Sequence, residues 1–370
     1  MQQPFPGIYI EHGINEKTVQ IESYSTLFLS FTVGTQCDRP IVLNSQLDME
    51  QYPFLHKDYP LTKRIKVYFS NGGKRLYLLS QPTDEKVLFN QDEYIKYLSH
   101  RCDVMVDVEI IVGIDIFDKS FSKEQFLKIQ NNISIYCEQS SRISISDLPK
   151  KFEDEYHKYL YNTVAFYPWL MDKEGNAIPS SIYASALFHK VAKNENISRS
   201  IANRVLEFAI DSASDITEKK GQTLYKEGVT PILYFRDEGY KIWGVRTLNF
   251  ENEQFEYLNT LRVFRYIKRT LYQIAKQYVF EPNNYDLKNK MLRQIKNFLM
   301  PMWKSGALQG VSEEEAFVVL CDERNNSIED ENGGRLNIDI AVSISKPLEY
   351  IVIHLNRVQN DHNHANINIS

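Results

Sequence analysis

Cysteine is scarce. Cys37, Cys102, Cys137 and Cys321 are the whole complement of a 370-residue chain, and no two lie closer than 35 residues. That excludes a disulfide scaffold and any C-x-x-C zinc spacing, and it leaves buried free thiols in a reducing compartment as the expectation. Long hydrophobic runs are missing as well. The most apolar early stretch, 27–34, is too short for a bilayer and carries Ser30 and Thr32. No positive cluster precedes an apolar stretch at the start, so no secretory leader is expected and synthesis in a cytoplasm follows. Neither sign of charge dominates, the net charge being −5, which argues against wholesale nucleic-acid binding. With 43% hydrophobic and 25% charged residues, and neither repeats nor low-complexity linkers, the chain is neither collagenous nor disordered.

The signatures of enzymes are also absent. There is no G-x-x-x-x-G-K-[S/T] loop, no G-x-G-x-x-G after a strand, no G-x-S-x-G elbow and no H-E-x-x-H. His362-Asn363-His364 beside Asp361 has metal-binding side chains, but a terminal tail offers no packed surroundings to hold ligands, so a solvated tail is expected. Glu313-Glu314-Glu315 follows Ser312 as a capping box would; a docking surface for a basic partner and a carboxylate site are the alternatives. Asp322, Glu329 and Asp330 lack calcium-loop spacing and read as a hairpin loop. No catalytic residue, cofactor or metal is expected.

Aromatic residues, by contrast, are plentiful: 23 Tyr, 20 Phe and 3 Trp, which favours strands and large contact surfaces. Pro4, Pro6 and Gly7 cannot open a helix, and Ile8-Tyr9-Ile10-Glu11 alternates, so an extended arm leading into a strand is expected. Residues 27–34 are apolar enough for a strand buried on both faces. A helix ahead of 65–69, a turn at Asn71-Gly72-Gly73-Lys74-Arg75 and a strand at 76–79 follow. The pattern then predicts a helix at 92–99 capped by Asp92, a strand at 104–116, a helix at 122–138, a strand at 142–145, a helix near 152–161 and a strand at 163–167. This alternation argues a parallel α/β core. Residues 180–211 read as mostly helical, 217–227 as loop, and 232–235 with 241–246 as a hairpin across Asp237-Glu238-Gly239. Residues 259–278 predict a long amphipathic helix with Leu261, Phe264, Ile267, Leu271, Ile274 and Tyr278 on its apolar stripe and Arg262, Arg265, Lys268, Arg269 and Lys276 elsewhere. A helix at 285–299 stopped by Pro301, strands at 316–321, 336–343 and 350–355, and a loose tail complete the pattern.

Several segments, in order, resemble the tail sheath family of contractile phage tails and phage-tail-like injection machines. Pro6-Gly7-Ile8-Tyr9-Ile10-Glu11 is similar to that family's opening, and the apolar strand ending in Gly34 to its next block. Phe69-Ser70-Asn71-Gly72-Gly73-Lys74-Arg75-Leu76-Tyr77 resembles F-x-N-G-G-x-R-x-Y, and Tyr167-Pro168-Trp169 resembles its Y-P-W segment. Trp243-Gly244-Val245-Arg246-Thr247-Leu248 is similar to W-G-x-R-T-L, with a fitting neighbourhood from Asp215 to Val229 upstream. Phe280-Glu281-Pro282-Asn283, then Trp303-Lys304-Ser305-Gly306-Ala307-Leu308-Gln309-Gly310, then Ala316-Phe317 and Cys321-Asp322 follow in family order, and Lys346-Pro347-Leu348-Glu349-Tyr350-Ile351 looks like the final strand. The sequence departs at Ile201-Ala202-Asn203, where the family carries Pro-Ala-Asn, and it lacks the outward-facing inserted domains of large phage sheaths. It is closer in plan to the compact sheath subunits of extracellular injection systems or to a single-chain relative of the type VI sheath.

The resemblance implies a mixed α/β, tail-sheath-like fold: an inner domain from the N- and C-terminal segments, a central α/β segment packed outside it, and extended terminal arms. The expected parts are an N-terminal arm for strand exchange (1–20), the N-terminal part of the sheath domain (21–100), the central segment (101–230), the conserved C-terminal sheath domain (231–345) and a C-terminal strand with loose tail (346–370). It further implies a non-enzymatic subunit that polymerises as stacked hexameric rings around an inner tube and contracts to drive the tube through a target envelope. The implied partners are the chain itself, the inner tube protein, and baseplate and cap proteins, without nucleic acid or membrane insertion, with assembly in a bacterial cytoplasm. Strand exchange between subunits falls on Ile8, Tyr9, Ile10 and Glu11 and on Tyr350, Ile351, Val352 and Ile353. Arg262, Arg265, Glu313, Glu314 and Glu315 are the expected tube-facing residues, read as exposed charges without an internal partner. A cap- or baseplate-proximal paralogue of the same machine is the alternative, and a soluble α/β enzyme of unrecognised type a more distant one.

Overall fold

The computed structural model describes residues 25–33, 39–55, 60–150, 156–248 and 255–347. The expected arm at 8–11, Cys37, the strand at 350–355 and the histidine tail lie outside the described residues. The first element, β1 (Ser25–Ser30), is buried at every position, because it is a middle strand of a sheet covered on both faces. Then come β2 (Ile41–Leu43), α1 (Pro60–Ser70), β3 (Arg75–Ser80), α2 (Glu85–Leu88), α3 (Gln91–Cys102), β4 (Val108–Gly113), α4 (Lys123–Gln139), β5 (Ile143–Asp147) and β6 (Val164–Tyr167). Short strands β7 (Leu170–Met171) and β8 (Ala177–Ile178) precede α5 (Ser180–Asn194), and β9 (Asp211–Ser212) precedes α6 (Glu218–Lys226). The hairpin β10 (Val229–Phe235) and β11 (Gly239–Ile242) leads to α7 (Leu258–Lys276), α8 (Tyr285–Lys304), α9 (Glu313–Ala316), β12 (Phe317–Leu320), α10 (Ile328–Asn332) and β13 (Asp339–Val342).

One eight-stranded sheet runs in the order β11-β10-β6-β5-β4-β1-β3-β2. Its six inner strands are parallel; the edge strands β2 and β11 are antiparallel to their neighbours. Phe28, Ile110, Val112 and Leu78 point to one face, where Ile65 and Tyr68 of α1 and Ile182 and Phe188 of α5 cover them. Leu27, Leu29, Ile111 and Leu79 point to the other, under Leu98 of α3, Ile129 and Ile133 of α4, and Leu224 of α6. From β1 the chain winds to β3 on one side and then to β4 on the other, the doubly wound pattern. Strands from 25–80, 108–167 and 229–242 share this sheet, so it crosses the expected boundaries at 100/101 and 230/231. A third core holds Val263, Tyr266 and Ile267 of α7, Ile295, Phe298 and Leu299 of α8, and Phe317 of β12.

Most expected elements are present, with differences of local cause. The 91–102 helix is capped by Asn90, which accepts from Glu93 N at 3.1 Å, rather than by Asp92. Residues 65–69 belong to α1 itself. The polar stretch 217–227 is helix, not loop: Thr217 caps it, and only Gly221 and Leu224 are buried, a contact too narrow to mark the sequence. The helix from Ser180 ends at Asn194, well short of 211. Of the helix expected near 152–161, the described part is one tight turn at Tyr156–Tyr159. Pro301 does not end α8, which continues to Lys304; a proline in the last turn forfeits one backbone bond while the packed face is kept.

The W-x-x-G-A-L-x-G block earns its two glycines differently. Gly306, at φ +78°, turns the chain out of α8, and a Cβ there would meet nothing within 4 Å. Gly310, at φ +142°, lies against α9, and a Cβ there would sit 2.4 Å from the backbone N of Ala316. Gly306→Ala is expected to cost about 1 kcal/mol, the penalty of the left-handed backbone alone. Gly310→Ala is expected to cost more, since backbone must shift; equal losses in urea unfolding would show that α9 is not held there.

Candidate functional site

α7 joins the sheet to the third core, and its arginines do so by burial. Glu109, the second residue of β4, lies in a strand that is otherwise apolar on both faces, where an unpaired carboxylate is untenable. Arg262 meets it with both arms of its guanidinium, Nε to Oε1 at 2.5 Å and Nη2 to Oε2 at 2.8 Å; Arg262 is 1% exposed and Glu109 2%. Burial opposes the Glu109 charge, but Arg262, with Arg269 behind it, outweighs burial and holds the carboxyl below its usual range. One turn on, Arg265 donates to the carbonyl of Arg142, and Arg269 to that of Val108. Arg142 in turn spans the carbonyls of Cys102 (2.8 Å), Met105 (2.9 Å) and Val108 (3.2 Å) and the hydroxyl of Tyr136 (2.8 Å). Burial lowers Arg269 to about 10. Beside the pair, His189 of α5 shares a hydrogen bond of 2.6 Å with the Thr26 hydroxyl, and burial pushes its pKa down to about 4.

This geometry corrects the reading of Arg262 and Arg265 as exposed tube-facing charges. Both are buried and both have partners within the subunit, which a helical wheel of α7 alone does not reveal. The joint is sealed from solvent, and Arg262 favours the ionised form of its acid. Glu109, Arg142, His189 and Thr26 were not singled out from sequence, although a lone glutamate in V-E-I-I-V is the signal that a buried cation must exist.

The acidic run behaves as a cap. The Ser312 hydroxyl accepts from Glu315 N at 3.4 Å, and the Glu315 carboxylate reaches back one residue further than a capping box would, to Val311 N at 2.8 Å. Glu313 pairs with Lys296 of α8 at 3.3 Å. The exposed basic surface of this unit lies instead on α8, where Lys290, Arg293 and Lys304 fall on one side of the helix.

The second notable surface is the β12–β13 hairpin. Phe317 pairs with Val342 and Val319 with Ile340, facing the third core, while Val318, half-exposed, and Ala341 face outward. Among the described residues the two strands pair only with each other as a sheet. Two short apolar strands whose outer edges meet no further strand among the described residues are marginal alone and templates for added strands. Ile8–Glu11 and Tyr350–Ile353, the expected added strands, lie outside the described residues.

Residues 251–356 match the phage tail sheath C-terminal domain family. The tail sheath protein of Vibrio phage KVP40 is 27% identical over 157 residues, 42% of this chain and 22% of that protein. The chain thus spans about a fifth of the length of that curated relative. A chain of the contracted sheath complex of PVC, an extracellular contractile injection system, superposes with a TM-score of 0.77 at 20% identity, covering 97% of this chain and 99% of its own. A chain of the anti-feeding prophage baseplate superposes with the same score at 19% identity, covering 96% and 99%. The resemblance read from the motifs is borne out, and the chain has the mixed α/β tail sheath fold.

Glu109→Gln leaves the Arg262 guanidinium buried without its carboxylate and is expected to cost about 3–5 kcal/mol. A loss of about 1 kcal/mol or less in urea unfolding, the worth of an exposed pair, would show the joint to be dispensable. His189 adds a pH dependence. Between its ordinary 6.5 and about 4 the unfolded chain takes up a proton that the folded chain refuses, so stability falls as pH drops through that window. Asp147, which burial raises to about 6, acts in the opposite sense from there down to 3.8. The readout is therefore the difference between wild type and His189→Gln: the variant should lack the His189 slope, and identical pH profiles would refute it.

Proposed function

We propose that the chain is the repeating sheath subunit of a contractile injection particle, stacking as hexameric rings around an inner tube and shortening to drive that tube through a target envelope. The observation that carries this reading is the end-to-end match, 97% of this chain on 99% of a contractile injection sheath chain. The reading is structural rather than enzymatic. The machine is assembled in a bacterial cytoplasm, with tube, baseplate and cap proteins as partners.

In this reading β12 and β13 receive strands from neighbouring copies, Ile8–Glu11 from one and Tyr350–Ile353 from another. Strand addition uses backbone groups for affinity and alternate side chains for register. The pairing of β12 and β13 only with each other among the described residues and the outward Val318 support it. Such links let whole bodies rotate on contraction while the lattice stays connected. The tube is met by the exposed cations of α8, Lys290, Arg293 and Lys304, with Glu313–Glu315, joined to the same helix through Glu313 and Lys296, as a second, acidic contact. A baseplate-proximal paralogue is the second reading, favoured by the equally good match to a chain of the anti-feeding prophage baseplate.

Deleting 1–15 should leave a folded monomer that forms no cylinders in negative-stain electron microscopy; full-length cylinders from the truncated chain would refute strand exchange. Reversing Lys290, Arg293 and Lys304 to glutamate together should spare self-assembly but abolish co-assembly on tubes. Tubes still sheathed by that variant would remove α8 from the contact. Wild-type copies confined to one end of a purified particle would favour the paralogue.

A further inference from the structure

In a doubly wound sheet, loops at the carboxyl ends of the strands open a crevice where the winding reverses, and anions bind there to backbone N–H groups. In this chain the reversal falls between β1 and β4, since the connection from β1 leaves on the α1 face and that from β4 on the α4 face. The crevice is filled from within. Asp115, two residues beyond β4 and 2% exposed, lays its carboxylate over the end of β1. Oδ1 accepts from Phe31 N at 3.0 Å. Oδ2 accepts from Thr32 N at 3.1 Å, from the Thr32 hydroxyl at 3.0 Å and from the Ser30 hydroxyl at 2.6 Å.

Four donors from three consecutive residues converge on one carboxylate, as they would on a bound oxyanion. The same edge repeats the device at the end of β5. There Asp147 accepts from the backbone N of Ser181 at 2.9 Å and from its hydroxyl, at the first turn of α5. From α1, Arg64 ties down the loop that carries Asp115, donating to the carbonyl of Ile114 at 2.7 Å and pairing with Asp118 at 2.6 Å.

We propose that Asp115 is an internal ligand: its carboxylate occupies, in cis, the anion subsite of the switch-point crevice, sealing the sheet against outside phosphates and carboxylates and fixing the loop that leaves β1. Removing the carboxylate reopens a subsite for a small oxyanion of the size of formate. The inference stands on the sheet and its loops and is independent of the sheath reading.

The test is thermal unfolding of the full chain as wild type, Asp115→Ala and Asp115→Asn, with sodium formate against sodium chloride at equal ionic strength. Asp115→Ala should melt lower than wild type and recover part of the difference in formate. Wild type and Asp115→Asn, in which the subsite is still filled, should gain nothing from formate over chloride. Equal formate shifts in all three proteins, or an Asp115→Ala protein as stable as wild type, would overturn the proposal. If the alanine variant does not fold, amide exchange decides instead. Phe31 and Thr32 N–H should be protected in wild type and exchange about ten- to a hundredfold faster in Asp115→Asn, the worth of one charge-assisted hydrogen bond. Wild-type amides at Phe31 and Thr32 exchanging at open-loop rates would overturn it equally.

Discussion

A glutamate inside a strand covered on both faces is the constraint around which this molecule is arranged. Glu109 cannot stay ionised there without a partner, and the partner comes from α7, 153 residues away in sequence. Because the partner is an arginine gripping with two arms, the helix is fixed in direction and in rotation as well as in place. Arg265 and Arg269 then fall, one turn and two turns on, at the carbonyls of Arg142 and Val108, at the amino ends of β5 and β4. The excess of buried cations over carboxylates is met by backbone oxygens, among them those at the end of α3 that Arg142 collects. The sheet and the third core are thereby tied together through α7 by an interaction that is costly to break.

How much of this was legible in the sequence depends on whether the decisive contact was local. Ser312 announces its helix because a cap needs only the next three residues. The alternation of strands and helices over 104–147 is carried by periodicity, and the structure follows it; of the helix expected near 152–161 the described part is a single tight turn. Asn71-Gly72-Gly73 was readable as a turn, but not why asparagine leads it: its side chain donates to the carbonyls of Val67 and Glu207 and accepts from Glu207 N, clipping the turn to a loop far along the chain. The arginines of α7 were the hardest to read. On a helix taken alone, cations beside an apolar stripe mean solvent, and only the opposing strand shows that they are buried. α6 was missed for the opposite reason, since a helix that buries one glycine and one leucine leaves almost no apolar trace.

The carboxyl edge of the sheet shows the same economy of internal satisfaction. A doubly wound sheet ordinarily leaves its switch point open to a ligand. Here Asp115 and Asp147 satisfy the donors that such a ligand would satisfy, and Arg64 closes the flank.

Stiffness within the body and compliance between bodies are complementary requirements for a lattice that must change shape without coming apart. Side-chain interlocks such as Arg262–Glu109 are specific to one geometry; they serve inside the subunit, where nothing should move. Backbone ladders tolerate twist, because strand pairing survives a wide range of angles between neighbours. The β12–β13 hairpin offers such ladders at its edges, and it is rooted through Phe317 in the third core, next to the helix that carries the buried joint. In the proposed assembly each subunit would rotate as a unit about its borrowed strands, and the energy of contraction would reside in the contacts between bodies rather than in any deformation within them.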